Sequence, residues 1–287
     1  MPDSIQTDPE TRAEVVHAGV AFLAATVGWL LLGGLITAVI AAALRPDPSM
    51  PLEVAARLPA ALALGAVLQT GGTLAVVLLL LRAFGRPASS APARPVQVGL
   101  AALTGLTVGL LPGWIADRLR ELAPSGESLL TVLQHTLPDA GLGPRLGLVL
   151  AICVLAPIAE ELAFRGFLWT HLRRALSAPA TLAITSVVFL LFHLDRLQTP
   201  SLLPTALLLG FLRWRTGSVL PAIAAHAANN VVGMVVLLAL DPDRTPSIPL
   251  WSATLGTLAS WSVALLPWLS RRGPDADVPP APGPHPG

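Results

Sequence analysis

The stretch LGLVLAICVLAPIAEELAFR, residues 146–165, decides how this chain is read. Leu146 to Ile158 carries no charged side chain, and Glu160, Glu161 and Arg165 then fall within six residues. A charge at the centre of a membrane helix costs roughly 2.5–3.5 kcal/mol on insertion scales. Three ionisable groups there imply a buried polar site that offsets the cost. Glu161 and Arg165 stand four apart with the acid N-terminal, the favourable order for an ion pair on one helix face. Glu160 points about 100° away from its neighbour, because a turn holds 3.6 residues, and has no local cation. The reading is a structural Glu161–Arg165 pair beside a chemically available Glu160, a desolvated carboxylate suited to moving a proton. The competing reading makes all three charges the solvated end of a shorter helix, since Trp169, His171, Arg173 and Arg174 follow.

Two further polar pairs lie downstream on apolar runs. Phe189 and His193 share a helical face, and so do His226 and Asn230, with Asn229 a near alternative. An asparagine one turn from a histidine orients the imidazole or donates its amide to an oxyanion. The plain alternative is hydrogen bonding between helices, which polar residues provide in membrane bundles. Taken together, one unpaired glutamate, two histidines and an amide suffice to deprotonate a water and stabilise a tetrahedral oxyanion, as amide hydrolysis requires. Glu160, His193 and His226 equally suit a divalent metal such as zinc with an open position for water. Residue types leave those two possibilities open.

Composition places these clusters in a membrane. Hydrophobic residues make up 53% of the chain, charged residues 12%, and the mean hydropathy is +0.68. Soluble domains carry about twice that charge. A net charge of +1 and the lack of a basic cluster argue against a nucleic-acid partner. The single cysteine, Cys153, excludes an internal disulfide and a four-cysteine zinc site.

With about 20 apolar residues needed per span, the sequence divides into eight expected membrane helices. These are Val15–Leu44, Leu58–Leu81, Val96 to about Ile115, Arg145 toward Arg173, Pro179–Leu194, Pro200–Leu212, Ser218–Leu240 and Pro249–Leu269. The fold class is an all-α, polytopic membrane bundle, with a domain over residues 15–272. The third span carries Gly105, Gly109 and Gly113 at four-residue spacing, a stripe that lets another helix approach closely. Asp117–Pro144 is the expected extramembrane loop, holding a short amphipathic helix. This glycine-rich helix and the short fifth and sixth helices form an expected lateral opening for a membrane peptide. Residues 1–14 read as a polar segment, and the Pro- and Gly-rich residues 273–287 as a disordered tail.

Arginine placement sets orientation. One set of alternating loops receives ten arginines (12, 82, 86, 94, 173, 174, 213, 215, 271 and 272), and the other seven (45, 57, 118, 120, 145, 196 and 244). Both termini are therefore expected in the cytoplasm, with the protein in the cell membrane.

Glu-Glu-x-x-x-Arg at 160–165, Phe-x-x-x-His at 189–193 and His-x-x-x-Asn at 226–230 resemble three motifs of one family. These are the C-a-a-X-processing and bacteriocin-immunity membrane endopeptidases, the CPBP or Abi group, which is related to type II prenyl endopeptidases. The resemblance covers roughly residues 145–240. It implies a membrane-embedded protease site in a bundle of about eight helices, acting on a membrane-embedded or lipid-anchored peptide or protein. By its pattern Glu160 activates water with help from His193, and His226 and Asn230 bind the oxyanion. Glu161, Arg165 and Phe189 support them. The alternatives are a non-catalytic scaffold or immunity-type protein and a proton-coupled transporter, for which matched broken repeats are expected and none is found.

Overall fold

A computed structural model of the chain describes residues 8–85, 92–122, 129–193, 195, 198–239 and 247–266. Among the described residues the fold is all helical: α1 (Pro9–Leu44), α2 (Leu52–Ala55), α3 (Pro59–Ala83), α4 (Pro95–Val108), α5 (Leu110–Leu122) and α6 (Leu129–Thr136) come first. The central span, Leu142–Leu172, follows as α7 (Leu142–Leu150), α8 (Ala156–Glu161) and α9 (Trp169–Leu172), joined by two π-helical stretches. After it come α10 (Ala178–Leu191), α11 (Gln198–Ser201), α12 (Leu203–Thr216), α13 (Leu220–Ala239) and α14 (Leu250–Ala264).

Proline opens many of these helices, where its missing N–H is no loss. It stands in the first two positions of α1, α3, α4, α10 and α12. Asp8 caps α1 by accepting from the Thr11 backbone N–H at 2.7 Å, and that bond holds its carboxyl below the ordinary value. Gly217, at φ 65°, closes α12 in the left-handed conformation that favours glycine.

Among the described residues, five helices are long and apolar enough to cross a membrane, against the eight expected from the whole sequence: Pro9–Leu44, Pro59–Ala83, Pro95–Leu122, Leu142–Leu172 and Leu220–Ala239. The fifth, sixth and eighth expected spans appear as α10, α12 and α14, of 14, 14 and 15 residues. Fourteen residues rise about 21 Å, short of a hydrocarbon core about 30 Å thick. The third span runs on to Leu122, so the expected loop begins later than Asp117 and holds one short helix, α6; Asp117 accepts from the Ile248 N–H at 3.0 Å. Residues 8–14 likewise cap and begin α1, not a separate segment. Residues 1–7 and the expected tail, 273–287, lie outside the described residues.

The helices meet through small residues. A Cβ built at Gly72 would overlap the Trp29 indole, whose Nε1 donates to Gln69 O at 3.0 Å, tying α1 to α3. The glycine stripe of α4 and α5 is filled by neighbours: Cβ atoms at Gly105, Gly109 and Gly113 would overlap Ala225 O, Asn229 Oδ1 and Ile248 Cδ1. The face where a lateral opening was expected is thus occupied by α13 and by Ile248. On the other side of α4, Ser260 of α14 donates to Thr104 O at 3.0 Å. An aromatic cluster of Phe22, Phe164, Phe167 and Phe189 packs the central span against α1 and α10.

Candidate active site

The central span is not a uniform α-helix. Ala151–Leu155 and Leu162–Leu168 are π-helical and flank the single α turn, Ala156–Glu161, that carries both glutamates. Pro157 accounts for the first of these. It has no N–H to donate, and its ring crowds the carbonyl four residues back, which an α-ladder cannot absorb. π-bulges of this kind are frequent at functional sites.

Glu161 is completely buried, and its Oε1 sits between two partners. Arg165 Nη1 donates to it at 3.1 Å, and His226 Nδ1 lies 3.0 Å away. A carboxylate only accepts, so Nδ1 carries a proton and donates it to Glu161, which leaves Nε2 on the opposite edge of the ring. That Nε2 faces Glu160, 3.9 Å from Oε2. Glu160 Oε2 is itself buried and accepts no hydrogen bond, although the side chain as a whole is 28% exposed. The two adjacent glutamates therefore bracket one imidazole, Glu161 bonded to it and Glu160 held back from it.

Phe189 is the wall the other groups share. The Arg165 guanidinium lies over its ring at 4.5 Å, a cation–π contact. His193 and His226 ring centroids lie 4.7 and 6.0 Å from it. His193 Nδ1 is 2.9 Å from Phe189 O. Among the described residues no hydrogen bond or ion pair joins His193 to either glutamate. Asn230 donates Nδ2 to Ile152 O at 2.9 Å, inside the first π-helical stretch, and accepts from Asn229 Nδ2 at 3.3 Å. Its second amide proton is left for another acceptor.

The sequence identified the Glu161–Arg165 pair, the unbonded Glu160 and the shared face of His226 and Asn230. It missed the Glu161–His226 bond, which depends on a packing register that no local spacing encodes. It also counted Arg213 among loop arginines, whereas that side chain is 1% exposed and its Nε donates to Arg165 O at 2.9 Å. The expected metal set of Glu160, His193 and His226 does not assemble. Among the described residues no group of three His, Cys, Asp or Glu side chains converges well enough to hold a metal ion.

Residues 143–232 match the family model of type II CAAX prenyl endopeptidases described as Rce1-like. Over these residues the chain is similar to an Rce1-like domain. All three motif clusters fall inside it, and so do both π-helical stretches and Arg213. Comparison with curated proteins and with solved structures gives no match. The five span-length helices support a multi-pass membrane protein, and residues 143–232 are similar to type II CAAX prenyl endopeptidases.

Proposed function

We propose that the protein is an intramembrane endopeptidase in which Glu160 activates the attacking water. The observation that carries this is the buried Glu160 Oε2, which accepts no hydrogen bond while lying 3.9 Å from His226 Nε2. An unpartnered carboxylate oxygen beside an oriented imidazole is a site where a water can donate one proton and be held for attack. The water oxygen adds to the scissile carbonyl carbon as its proton passes to Glu160. The tetrahedral intermediate collapses, the C–N bond breaks, and Glu160 returns the proton to the leaving nitrogen, giving a carboxylic acid and an amine. Glu161 fixes His226 by the 3.0 Å bond at Nδ1. His226, as an imidazolium that keeps its Nε2–H throughout the cycle, and the second amide proton of Asn230 are the donors for the oxyanion. His193 keeps Nε2 for the water or the peptide. Glu161, Arg165 and Phe189 hold the arrangement together.

The substrate class that fits is a peptide segment anchored in or on the bilayer, cut near the membrane face. The catalytic core is placed at residues 145–240 of a domain spanning 15–272. The arginine bias supports cytoplasmic termini in the cell membrane. The test is cleavage of a panel of membrane peptides, some prenylated at the C-terminus, by detergent-purified wild type and Glu160→Gln. Cleavage by the wild type alone supports the reading. Peptides left intact by the wild type, with function retained in Glu160→Gln, instead favour a scaffold or immunity-type role.

A further inference from the structure

Arg165 is held by α12 at two places. Its own Nη2 donates to Ala206 O at 2.9 Å, and its main-chain oxygen accepts from Arg213 Nε at 2.9 Å. Ala206 and Arg213 are seven residues apart, about 10 Å along one face of the helix. Each arginine therefore bonds the backbone of the element carrying the other. Ser186 of α10 donates to the same Ala206 carbonyl at 3.3 Å, so a third helix joins the contact.

The Arg165 carbonyl lies in the π-helical stretch Leu162–Leu168. A π turn shifts the ladder from i+4 to i+5 and leaves main-chain carbonyls short of their usual donors, which an inserted side chain can satisfy. Arg213 supplies that donor. Its guanidinium is 1% exposed and lies 5.9 Å over the fully buried Trp169 ring, on the turn that follows the π stretch. A buried guanidinium is costly to place unless its geometry is used. Here the geometry fixes where the Arg165 backbone sits, and through the 3.1 Å ion pair, where Glu161 and His226 sit.

We infer that Arg213 is a positioning residue for the reaction: it locks the π turn at Arg165 and so sets the Glu161–His226 register against Glu160. This rests on the endopeptidase reading above. Displacing catalytic groups by an ångström costs rate more than substrate binding.

The experiment compares full-length wild type, Arg213→Met, Arg213→Lys and the same-helix control Arg215→Met, each assayed for kcat, KM and pH–rate profile per folded enzyme. Arg213→Met is expected to lower kcat about 100-fold with KM unchanged and the pH profile displaced. Arg213→Lys recovers part of the loss, and Arg215→Met behaves as wild type. In an Arg165→Met background, Arg213→Met costs little further rate, since the route from Arg213 to Glu161 runs through the Arg165 side chain. If Arg213→Met does not fold, Arg213→Lys carries the test, and a lowered kcat at unchanged KM supports the inference. Arg213 variants with wild-type kcat and pH profile overturn it, whatever their thermal stability. Wild type that cleaves no peptide removes the underlying reading as well.

Discussion

Glu160 and Glu161 are adjacent in the chain, yet their replacement by glutamine should give opposite signatures. Glu161 is fully buried, with one oxygen serving both Arg165 at 3.1 Å and His226 at 3.0 Å. Removing one partner of a buried ion pair costs about 3–5 kcal/mol, because the other charge is left uncompensated. Glutamine keeps an oxygen that can still accept one of the two bonds, worth about 1 kcal/mol. The net expectation for Glu161→Gln is a loss of about 2–4 kcal/mol, a fall in melting midpoint on the order of 5–15 °C at this chain length. Glu160 Oε2 accepts no hydrogen bond, so neutralising it removes only the long 3.9 Å approach to His226 Nε2. Glu160→Gln is expected to shift stability by no more than about 0.5 kcal/mol while lowering cleavage about 10²–10⁴-fold. Thermal unfolding of both variants in one detergent, alongside peptide cleavage, reads the two effects separately. A Glu161→Gln midpoint equal to wild type, with Glu160→Gln the destabilised variant, refutes the assignment.

Other outcomes follow from the same geometry. Gly105→Ala places a Cβ on the Ala225 carbonyl, one residue before His226, and should cost about 1–3 kcal/mol with reduced cleavage; Gly99→Ala on the same helix meets nothing within 4 Å and should be neutral or slightly stabilising, both read by thermal unfolding. Asn230→Ala loses its bond to Ile152 O and should cost about 1 kcal/mol in the same assay, together with slower cleavage. Cleavage should survive treatment with a divalent-metal chelator, because no three-donor group converges among the described residues. Loss of activity on chelation, restored by zinc, would contradict that geometry.

Much of the site was legible because charge in an apolar run has so few explanations. Glu160, Glu161 and Arg165 announce a buried site, and the four-residue spacing gives the ion pair directly. The glycine stripe at 105, 109 and 113 likewise encodes a close contact, though not which helix fills it. What stayed hidden depends on the backbone. The π-helical stretches change which carbonyls are free without altering the apolar pattern that sequence reading follows. Arg213 looked like a loop arginine because it lies three residues before the end of α12, where basic side chains normally meet water. The fifth and sixth expected spans already read as short, and they appear as α10 and α12 at 14 residues each.

Single-turnover cleavage in H2¹⁸O, by wild type and Glu160→Gln side by side, tests the central claim most directly. A water activated by Glu160 places one ¹⁸O in the new product carboxylate on the first turnover, and the variant forms product about 10²–10⁴-fold more slowly. Unlabelled product on the first turnover would mean that Glu160 attacks the carbonyl itself. Equal cleavage by the variant would mean that it takes no part, and either result contradicts the account.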